Sequence, residues 1–233
     1  TWAALWSLTA GTKITAFSTP PTPRTRALVV PQCYSWYRFG PCAVFSPDES
    51  KLATISGSHI GYSLDRRIGN RTHSSVRIWD ADTGTLIRSF PAHEDIISTV
   101  AFSRDGQWIV TGSNDKTAKL WNAETGEEQM VFSGQNDSII AVALSPDNRY
   151  LLTSSPDNLG AGIASDAIQW VVLWDTRTGE KLGSLQGHSS PVLCVNFSSD
   201  GKRILTGSTD GSIRIWNMDD VIQTSCVENY QLY

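Results

Sequence analysis

The chain lacks the sequence features of several protein classes. None of its four cysteines lies in a CxxC motif, so neither a zinc site nor a thioredoxin-like site is indicated. The longest apolar run, 139–144, is too short to cross a bilayer, and no charged-then-apolar leader opens the chain. No GxSxG, HExxH or P-loop motif occurs. We therefore expect no membrane contact, no bound metal or cofactor, and no small-molecule substrate.

The net charge and the cysteines narrow the possible partners and the cellular compartment further. The net charge of −4 on 233 residues argues against a surface that coats nucleic acid. The cysteines do not form the framework of a small disulfide-rich domain, which favours a reducing compartment, cytoplasmic or nuclear. Because no Met stands at position 1, we expect the chain to begin inside a longer protein.

An internal repeat dominates what is present. Five apolar-Trp-polar steps recur, and a Gly follows the first four of them after five residues. A second frame places an apolar anchor before a turn such as SPDES or SRDGQ, with a Thr nine residues after each anchor. The compact period is 42 residues, as from Phe102 to Leu144. The Trp positions of the first frame are Trp6, Trp79, Trp121, Trp174 and Trp216.

One unit of this repeat reads as four short strands joined by turns. Apolar or alternating segments cover 100–102, 108–111, 118–121 and 128–132, and they are separated by Gly/Asp/Asn turns. Gly126 stands where a hairpin needs a positive φ. Such a sheet is too small to be stable alone, so neighbouring copies must stack. Four-stranded sheets at this spacing are the signature of a β-propeller.

The most complete unit resembles a repeat of the WD40 family. It contains Gly187-His188, a turn at 198–201, the segment 206–211 and the pair Ile215-Trp216. The resemblance extends in register over almost the whole chain, apart from roughly residues 19–41 and the tail. It implies an all-β fold, an incomplete WD40-type β-propeller, and a role in holding other proteins.

The resemblance also implies a hydrogen-bonded group of His, Ser/Thr, Asp and Trp in each blade. We interpret this group as structural and not as a catalytic triad, because it recurs and links strands within one sheet. The repeats containing Trp79 and Trp174 have no matching His. We expect those two blades to lack part of the network and to be less stable. The two complete sets are His93, Thr111, Asp115 and Trp121, and His188, Thr206, Asp210 and Trp216.

Three insertions break the repeat. Two lengthen the connection between the second and third strands of a blade, and one lengthens the connection between two blades. Because strands within a blade alternate in direction, both kinds of connection emerge on the same side of the disc. One-sided growth of this kind often marks the binding face of a repeat protein.

The insertions carry arginine beside aromatic residues. Together, 18–40 and 56–75 have a net charge of +5, which leaves −9 on the rest of the chain. Arg, Tyr and Trp are enriched at protein interfaces, and Arg suits an acidic or phosphorylated segment. A solvated loop without a partner is the alternative interpretation. Our candidate binding residues on this side are Arg66, Arg67, Arg71, Trp36, Tyr37, Arg38, Asn114, Trp170 and Thr209. Trp170 has a second interpretation, as a residue packed at the start of a strand.

The repeats supply about four and a half blades, fewer than the seven usual in the family. We expect a piece of a larger propeller, or a propeller that a partner chain completes, with apolar blade faces exposed in isolation. The expected divisions are two strands of a truncated blade (1–18), an inserted loop (19–41), a blade (42–90) with loop 56–75, a blade (91–132), a blade (133–186) with loop 155–170, a blade without a clear outer strand (187–217) and a tail (218–233).

The leading functional hypothesis is therefore a scaffold or adaptor that binds proteins or peptide segments. A regulatory or sensor repeat region attached to a larger protein, of the NTPase or ligase-adaptor type, is one alternative. A propeller enzyme is another, although no catalytic motif supports it.

Overall fold

The computed structural model describes residues 43–56, 74–156 and 170–222, together with two strands near the start of the chain. Those two strands, β1 (Ala3–Trp6) and β2 (Lys13–Phe17), form an antiparallel pair. The inserted segments 18–40 and 57–73, and most of 155–170, lie outside the described residues. The candidates Trp36, Tyr37, Arg38, Arg66, Arg67 and Arg71 fall in those segments.

The remaining strands form four antiparallel sheets, which we call the first to fourth blades. The first blade contains β3 (Ala43–Phe45), β4 (Lys51–Ser56), β5 (Ser74–Asp80) and β6 (Leu86–His93). The second contains β7 (Ile97–Phe102), β8 (Trp108–Ser113), β9 (Ala118–Asn122) and β10 (Glu128–Phe132). The third contains β11 (Ala141–Leu144), β12 (Tyr150–Ser154), β13 (Val171–Asp175) and β14 (Lys181–Leu185). The fourth contains β15 (Val192–Phe197), β16 (Arg203–Ser208) and β17 (Ile213–Asn217).

This arrangement confirms the expected fold class. Strands follow one another in sheet order within every blade, as in the third, whose order is β11-β12-β13-β14. Roughly four blades of a propeller are present. No helix in the described part of the chain is long and apolar enough to cross a membrane.

A serine-aspartate turn shapes the first hairpin of each blade. In the second blade, Ser103 Oγ donates to Asp105 Oδ1 at 2.6 Å and accepts the N–H of Trp108 at 2.9 Å. The same two bonds occur at Ser46, Ser145 and Ser198. Bonds of this kind satisfy backbone groups that the sheet leaves free, so the recurring SPD and SRD sequences specify the turn.

Apolar side chains fill the space between neighbouring blades. The outer strand of one blade supplies a phenylalanine that packs on the tryptophan of the next: Phe90 on Trp121, with ring centroids 5.0 Å apart, and Phe132 on Trp174, at 5.9 Å. We call this series of contacts the aromatic seam. It explains why the Trp and Phe positions keep one register along the chain, since each blade completes the core of its neighbour.

Glycines at the turns after Trp121 and Trp174 allow neighbouring blades to approach one another. Gly126 has φ 73°, and a Cβ there would lie 2.8 Å from Phe90 of the preceding blade. Gly179, with φ 74°, would place a Cβ 2.8 Å from the sulfur of Met130. The positive φ expected at Gly126 is therefore present, and the lack of a side chain is required by packing as well.

The last blade leaves one face uncovered. Leu205, Ile213 and Ile215 are 43%, 75% and 67% exposed. Their counterparts in the second blade, Val110, Ala118 and Leu120, are buried against the third blade. The expectation of an exposed apolar blade face is met at this end of the described chain.

The structure decides between alternatives at Trp170 and adds an element at the end of the described chain. Trp170 is buried, and its indole donates to the carbonyl oxygen of His188 at 3.2 Å, so it is a packing residue and not an exposed anchor. Its side chain is drawn into the core between the third and fourth blades. Residues 218–222 form a single helical turn after β17, where the sequence left an outer strand or a frayed tail open.

Candidate functional site

Two buried polar networks hold the second and fourth blades. In the second blade, Trp121 Nε1 donates to Thr111 Oγ1 at 2.9 Å, and the same oxygen lies 2.7 Å from His93 Nε2. The other ring nitrogen, His93 Nδ1, lies 2.9 Å from Asp115 Oδ2. The fourth blade repeats this with Trp216, Thr206, His188 and Asp210, at 2.9, 2.8 and 2.9 Å.

The partners of each atom indicate the direction of the hydrogen bonds. Asp115 accepts the N–H of Glu94 as well as the Nδ1 proton of His93. With that proton on Nδ1, the neutral ring accepts at Nε2 from the hydroxyl of Thr111. Thr111 then accepts from Trp121 and donates to His93, so every polar group of the network has a partner.

Sequence reasoning missed one member of each network. Thr117 Oγ1 donates to Asp115 Oδ1 at 2.6 Å and lies 3.1 Å from His93 Nδ1. Ser212 does the same beside Asp210 and His188. A signal was available, since a hydroxyl stands six residues after the network threonine in these two blades.

The networks keep their aspartates ionised. Burial raises the pKa of Asp115, but the hydrogen bond and the charge of His93, with the bonds from Thr117, outweigh burial and lower the pKa to about 2. At Asp210 the hydrogen bond from Ser212 is the largest cause of a lowered pKa, and burial opposes it. A carboxylate that stays charged across the physiological range serves as a constant acceptor.

The first and third blades contain only part of this network. Trp79 donates to Thr54 and Trp174 donates to Thr153, each at 2.8 Å. In the third blade Gln135 stands eighteen residues before the threonine, where the complete networks have histidine. Both polar atoms of the Gln135 amide are buried and have no hydrogen-bond partner among the described residues. The third blade thus has a buried group that its network does not satisfy.

The reacting atoms that a triad would need are not accessible here. Thr111 and Thr206 are fully buried, and each oxygen accepts an indole N–H. Because neither residue has exposed surface, a substrate carbonyl could not contact either hydroxyl in this arrangement. The arrangement can bridge strands and a loop, and it offers no site for acyl transfer.

One edge of the sheets carries the connections that the insertions lengthen. The turn after β8 is bound to the preceding interblade loop, because the N–H of Asn114 donates to Ile96 O at 2.9 Å. In the fourth blade the N–H of Thr209 donates to Pro191 O at 3.0 Å in the same way. Thr209 is exposed and Asn114 half-buried. We call this side of the blades the insertion face.

Strand ends that flank the inserted segments lie at the same edge of their sheets. Ser56 pairs with Ser75 across the first insertion, and Ser154 pairs with Val171 across the other. These pairs occupy the positions that precede Asn114 and Thr209 in the other blades. The structure therefore brings Asn114 and Thr209 to the edge from which the insertions leave, while the arginine and aromatic candidates lie outside the described residues.

Comparison with known proteins points to one family. Residues 84–122, 126–159 and 179–217 match the family described as "WD domain, G-beta repeat". A serine-threonine kinase receptor-associated protein of Dictyostelium discoideum is 33% identical over 60% of this chain and 43% of its own length. A guanine nucleotide-binding protein subunit beta of Arabidopsis thaliana is 33% identical over 70% of this chain and 42% of its own length.

A third relative covers more of the chain. Eukaryotic translation initiation factor 3 subunit I of Bombyx mori is 28% identical over 77% of this chain and 60% of its own length. The chain thus spans about half the length of these three relatives.

Proposed function

The chain belongs to the WD40 repeat family, and from that premise we propose that it is an interaction scaffold that binds proteins or peptide segments through its insertion face. Proteins built from these repeats generally serve as interaction scaffolds. The observation that carries the choice of face is the shared edge: the strand ends beside two insertions occupy the same position as the turns of Asn114 and Thr209.

The chemistry of the insertions supports an acidic or phosphorylated partner segment. Arg66, Arg67 and Arg71 stand in one insertion against a single aspartate. Trp36, Tyr37 and Arg38 stand in another that has no acid. Guanidinium groups bind carboxylate and phosphate in a bidentate manner, and aromatic side chains supply apolar area at little entropic cost. Asn114 and Thr209 complete the proposed binding set.

We propose that the two complete networks are structural and that the chain is not an enzyme. Both networks have one geometry in two blades, and their threonine oxygens accept indole protons. A catalytic group would be expected at one place and open to solvent. Loss of His93 should therefore lower the free energy of unfolding without abolishing any activity of the intact protein.

A regulatory region of a larger protein is the second candidate. The chain covers less than two thirds of each of the three relatives described above, so further sequence is compatible with the repeats. In that case the blades would restrain or direct a neighbouring domain. We place the protein in the cytoplasm or nucleus, on the cysteine usage of the chain.

Affinity purification with charge-reversal variants tests the proposal. The tagged full-length protein is expected to co-purify specific partners, and Arg66→Glu, Arg67→Glu and Arg71→Glu together are expected to lose them. The control carries the same number of reversals outside the insertion face, at Arg88, Lys202 and Arg203, all of which are exposed. Equal loss in both triple variants would show a general charge effect. Unchanged partners in the insertion variant would overturn the choice of face, and no specific partner in either would favour the regulatory region.

A further inference from the structure

A cleft opens between the second and third blades, on the side opposite the insertion face. Its volume is 430 Å³. Leu120, Met130 and Leu144 form an apolar floor, and Arg149 and Arg177 lie at the rim. Both arginines belong to turns of the third blade, one before β12 and the other after β13. We call this feature the arginine cleft.

Backbone hydrogen bonds show which residues are equivalent to these arginines in the other blades. The N–H of Thr176 donates to Arg149 O at 3.0 Å. The same bond joins Ala123 to Gln107, Met218 to Lys202, and Ala81 to Ser50, each at 2.9 Å. Gln107, Lys202 and Ser50 are therefore equivalent to Arg149, and the residues after Ala123, Met218 and Ala81 are equivalent to Arg177.

The equivalence reveals a reversal of charge in the third blade. The residue that corresponds to Arg177 is Glu124 in the second blade, Asp219 in the fourth and Asp82 in the first. The third blade alone among the four has a cation there. A structural need of the turn does not explain the change, because the backbone bond is the same in all four blades. A departure from the repeat at one exposed position is the signal expected of a binding site.

The two guanidinium groups are available to a ligand. Both arginines are exposed, and neither side chain forms an ion pair within the described ranges. The guanidinium of Arg149 lies over the ring of Tyr150, 5.2 Å from its centroid, which limits its freedom. The acid at the rim, Asp147, uses Oδ1 to accept from Ser145 Oγ and from the N–H of Arg149.

A second cleft, between the first and second blades, shares some of these turn positions and differs in charge. It has a volume of 620 Å³, and its rim carries Asp48, Asp105 and Glu124 with Lys51 and Arg104. Arg104 is engaged, because its Nη1 donates to Ser199 O at 2.6 Å. The two clefts thus have opposite balances of charge at their rims, and the smaller one is the cationic one.

We propose that the arginine cleft binds an acidic peptide segment of a partner protein. Carboxylates of the segment pair with Arg149 and Arg177, and an apolar side chain between them packs on Met130 and Leu120. Paired guanidinium–carboxylate bonds supply orientation, and the apolar floor supplies buried area. Arginine and methionine are both enriched at interfaces of this kind. This site is separate from the insertion face, so the chain can hold two partners at once.

The two methionines make the site directly observable. Met130 lies in the cleft and Met218 is buried in a different core, and the sequence contains no other methionine. The full chain is labelled at the methionine methyl carbons and titrated with an acetylated peptide of repeating Glu-Glu-Leu triplets, followed by nuclear magnetic resonance. We expect the Met130 methyl signal to shift saturably while the Met218 signal stays. Met130→Leu assigns the two signals.

Variants decide whether charge pairing causes the shift. Arg149→Glu and Arg177→Glu are each expected to weaken binding roughly tenfold, as for loss of a charge-paired contact. Lys202→Glu, the matched reversal in the fourth blade, is expected to leave the affinity unchanged. A peptide of Gln-Gln-Leu triplets is expected to give no shift of Met130.

Several outcomes would overturn the proposal. They are an unmoved Met130 signal, an equal response to the glutamine peptide, or a response that survives both arginine reversals. If reversal of Arg66, Arg67 and Arg71 alone abolishes peptide binding, the acidic segment belongs to the insertion face, and the arginine cleft is wrong while the proposed function stands. If that variant keeps its partners and the cleft titration is intact, the choice of the insertion face is wrong while the arginine cleft stands.

Discussion

The second and third blades are neighbours with nearly the same backbone, yet they satisfy their buried polar groups differently. In the second blade, Thr111 accepts from Trp121 and donates to His93, which in turn binds Asp115. In the third, Thr153 keeps only the bond from Trp174, and the amide of Gln135 is buried without a described partner. The sheet therefore does not require the network. The network adds stability to a sheet that packing already specifies.

The largest expected effect comes from making the second blade resemble the third. His93→Gln removes the ring that joins Thr111 to Asp115 and takes one hydrogen-bond donor from a partly buried carboxylate, which keeps its bonds from Thr117 and Glu94. We expect the free energy of unfolding to fall by about 2 kcal/mol, as for loss of a hydrogen bond to a charged group. Urea unfolding of the variant and the parent measures this. Gln135→Ala is the control, expected to be close to neutral, and an equal loss in both would contradict a role for the network.

A smaller difference in stability is expected between substitutions of the two network threonines, Thr111 and Thr153. Thr111→Val removes an acceptor and a donor that bind two side chains, and Thr153→Val removes one bond. We expect the first change to cost about 1 kcal/mol more than the second, the typical net value of one hydrogen bond. Both substitutions conserve side-chain shape, so packing should cancel when the two unfolding curves are compared. Equal losses would show that the histidine bond contributes nothing.

A fall in pH should reduce the stability that the network of Asp115 gives the second blade. The folded pKa of Asp115 is lowered to about 2, below the unfolded value near 4. Its contribution is therefore complete above about pH 4 and is lost as the pH falls through about 2. Asp115→Asn should be less stable than the parent at neutral pH, by about 1 kcal/mol. The gap should narrow between about pH 4 and about pH 2. A gap that stays constant with pH would show that ionisation of Asp115 is irrelevant.

The smallest expected effect is an increase in stability. Gln135→His replaces the unsatisfied amide of the third blade with the ring that the second blade has at the same position. We expect an increase in the free energy of unfolding of about 0.5 kcal/mol, since one bond to Thr153 is added while the rest of the network is not supplied. Thermal unfolding beside Gln135→Asn, which keeps an amide, would distinguish a specific gain from relief of a buried group. A loss on Gln135→His would show that the glutamine serves a purpose of its own.

The regular parts of the molecule could be predicted from sequence because they depend on local signals. Trp121, Gly126 and Thr111 recur at fixed spacing, and each meets a local structural need, namely an indole bond, a positive φ and a hydroxyl acceptor. Turn sequences such as Ser103-Arg104-Asp105 specify their own hydrogen bonds. Strand order within a blade followed from these signals.

Features that depend on distant residues could not be predicted. Packing of Trp170 was one of two interpretations of the sequence, but its partner, the carbonyl of His188 eighteen residues away in another blade, could not be identified there. Arg104 of the second blade reaches Ser199 of the fourth, a contact that no spacing reveals. The arginine cleft depends on the backbone bonds that place Arg177 and Glu124 at the same position of their blades. The periodicity of the sequence predicted the repeat. The exceptions to it became visible only when equivalent positions of the blades were compared in three dimensions.

The aromatic seam has a consequence for the way in which the protein unfolds. Each phenylalanine-tryptophan contact joins one blade to the next only, so the blades form a chain of nearest-neighbour couplings. Unfolding in such a chain proceeds as a boundary that moves inward from a free end. Because the fourth blade has an exposed apolar face within the described residues, the boundary should start there. Its backbone amides should exchange with deuterated water before those of the second blade, which is flanked on both sides.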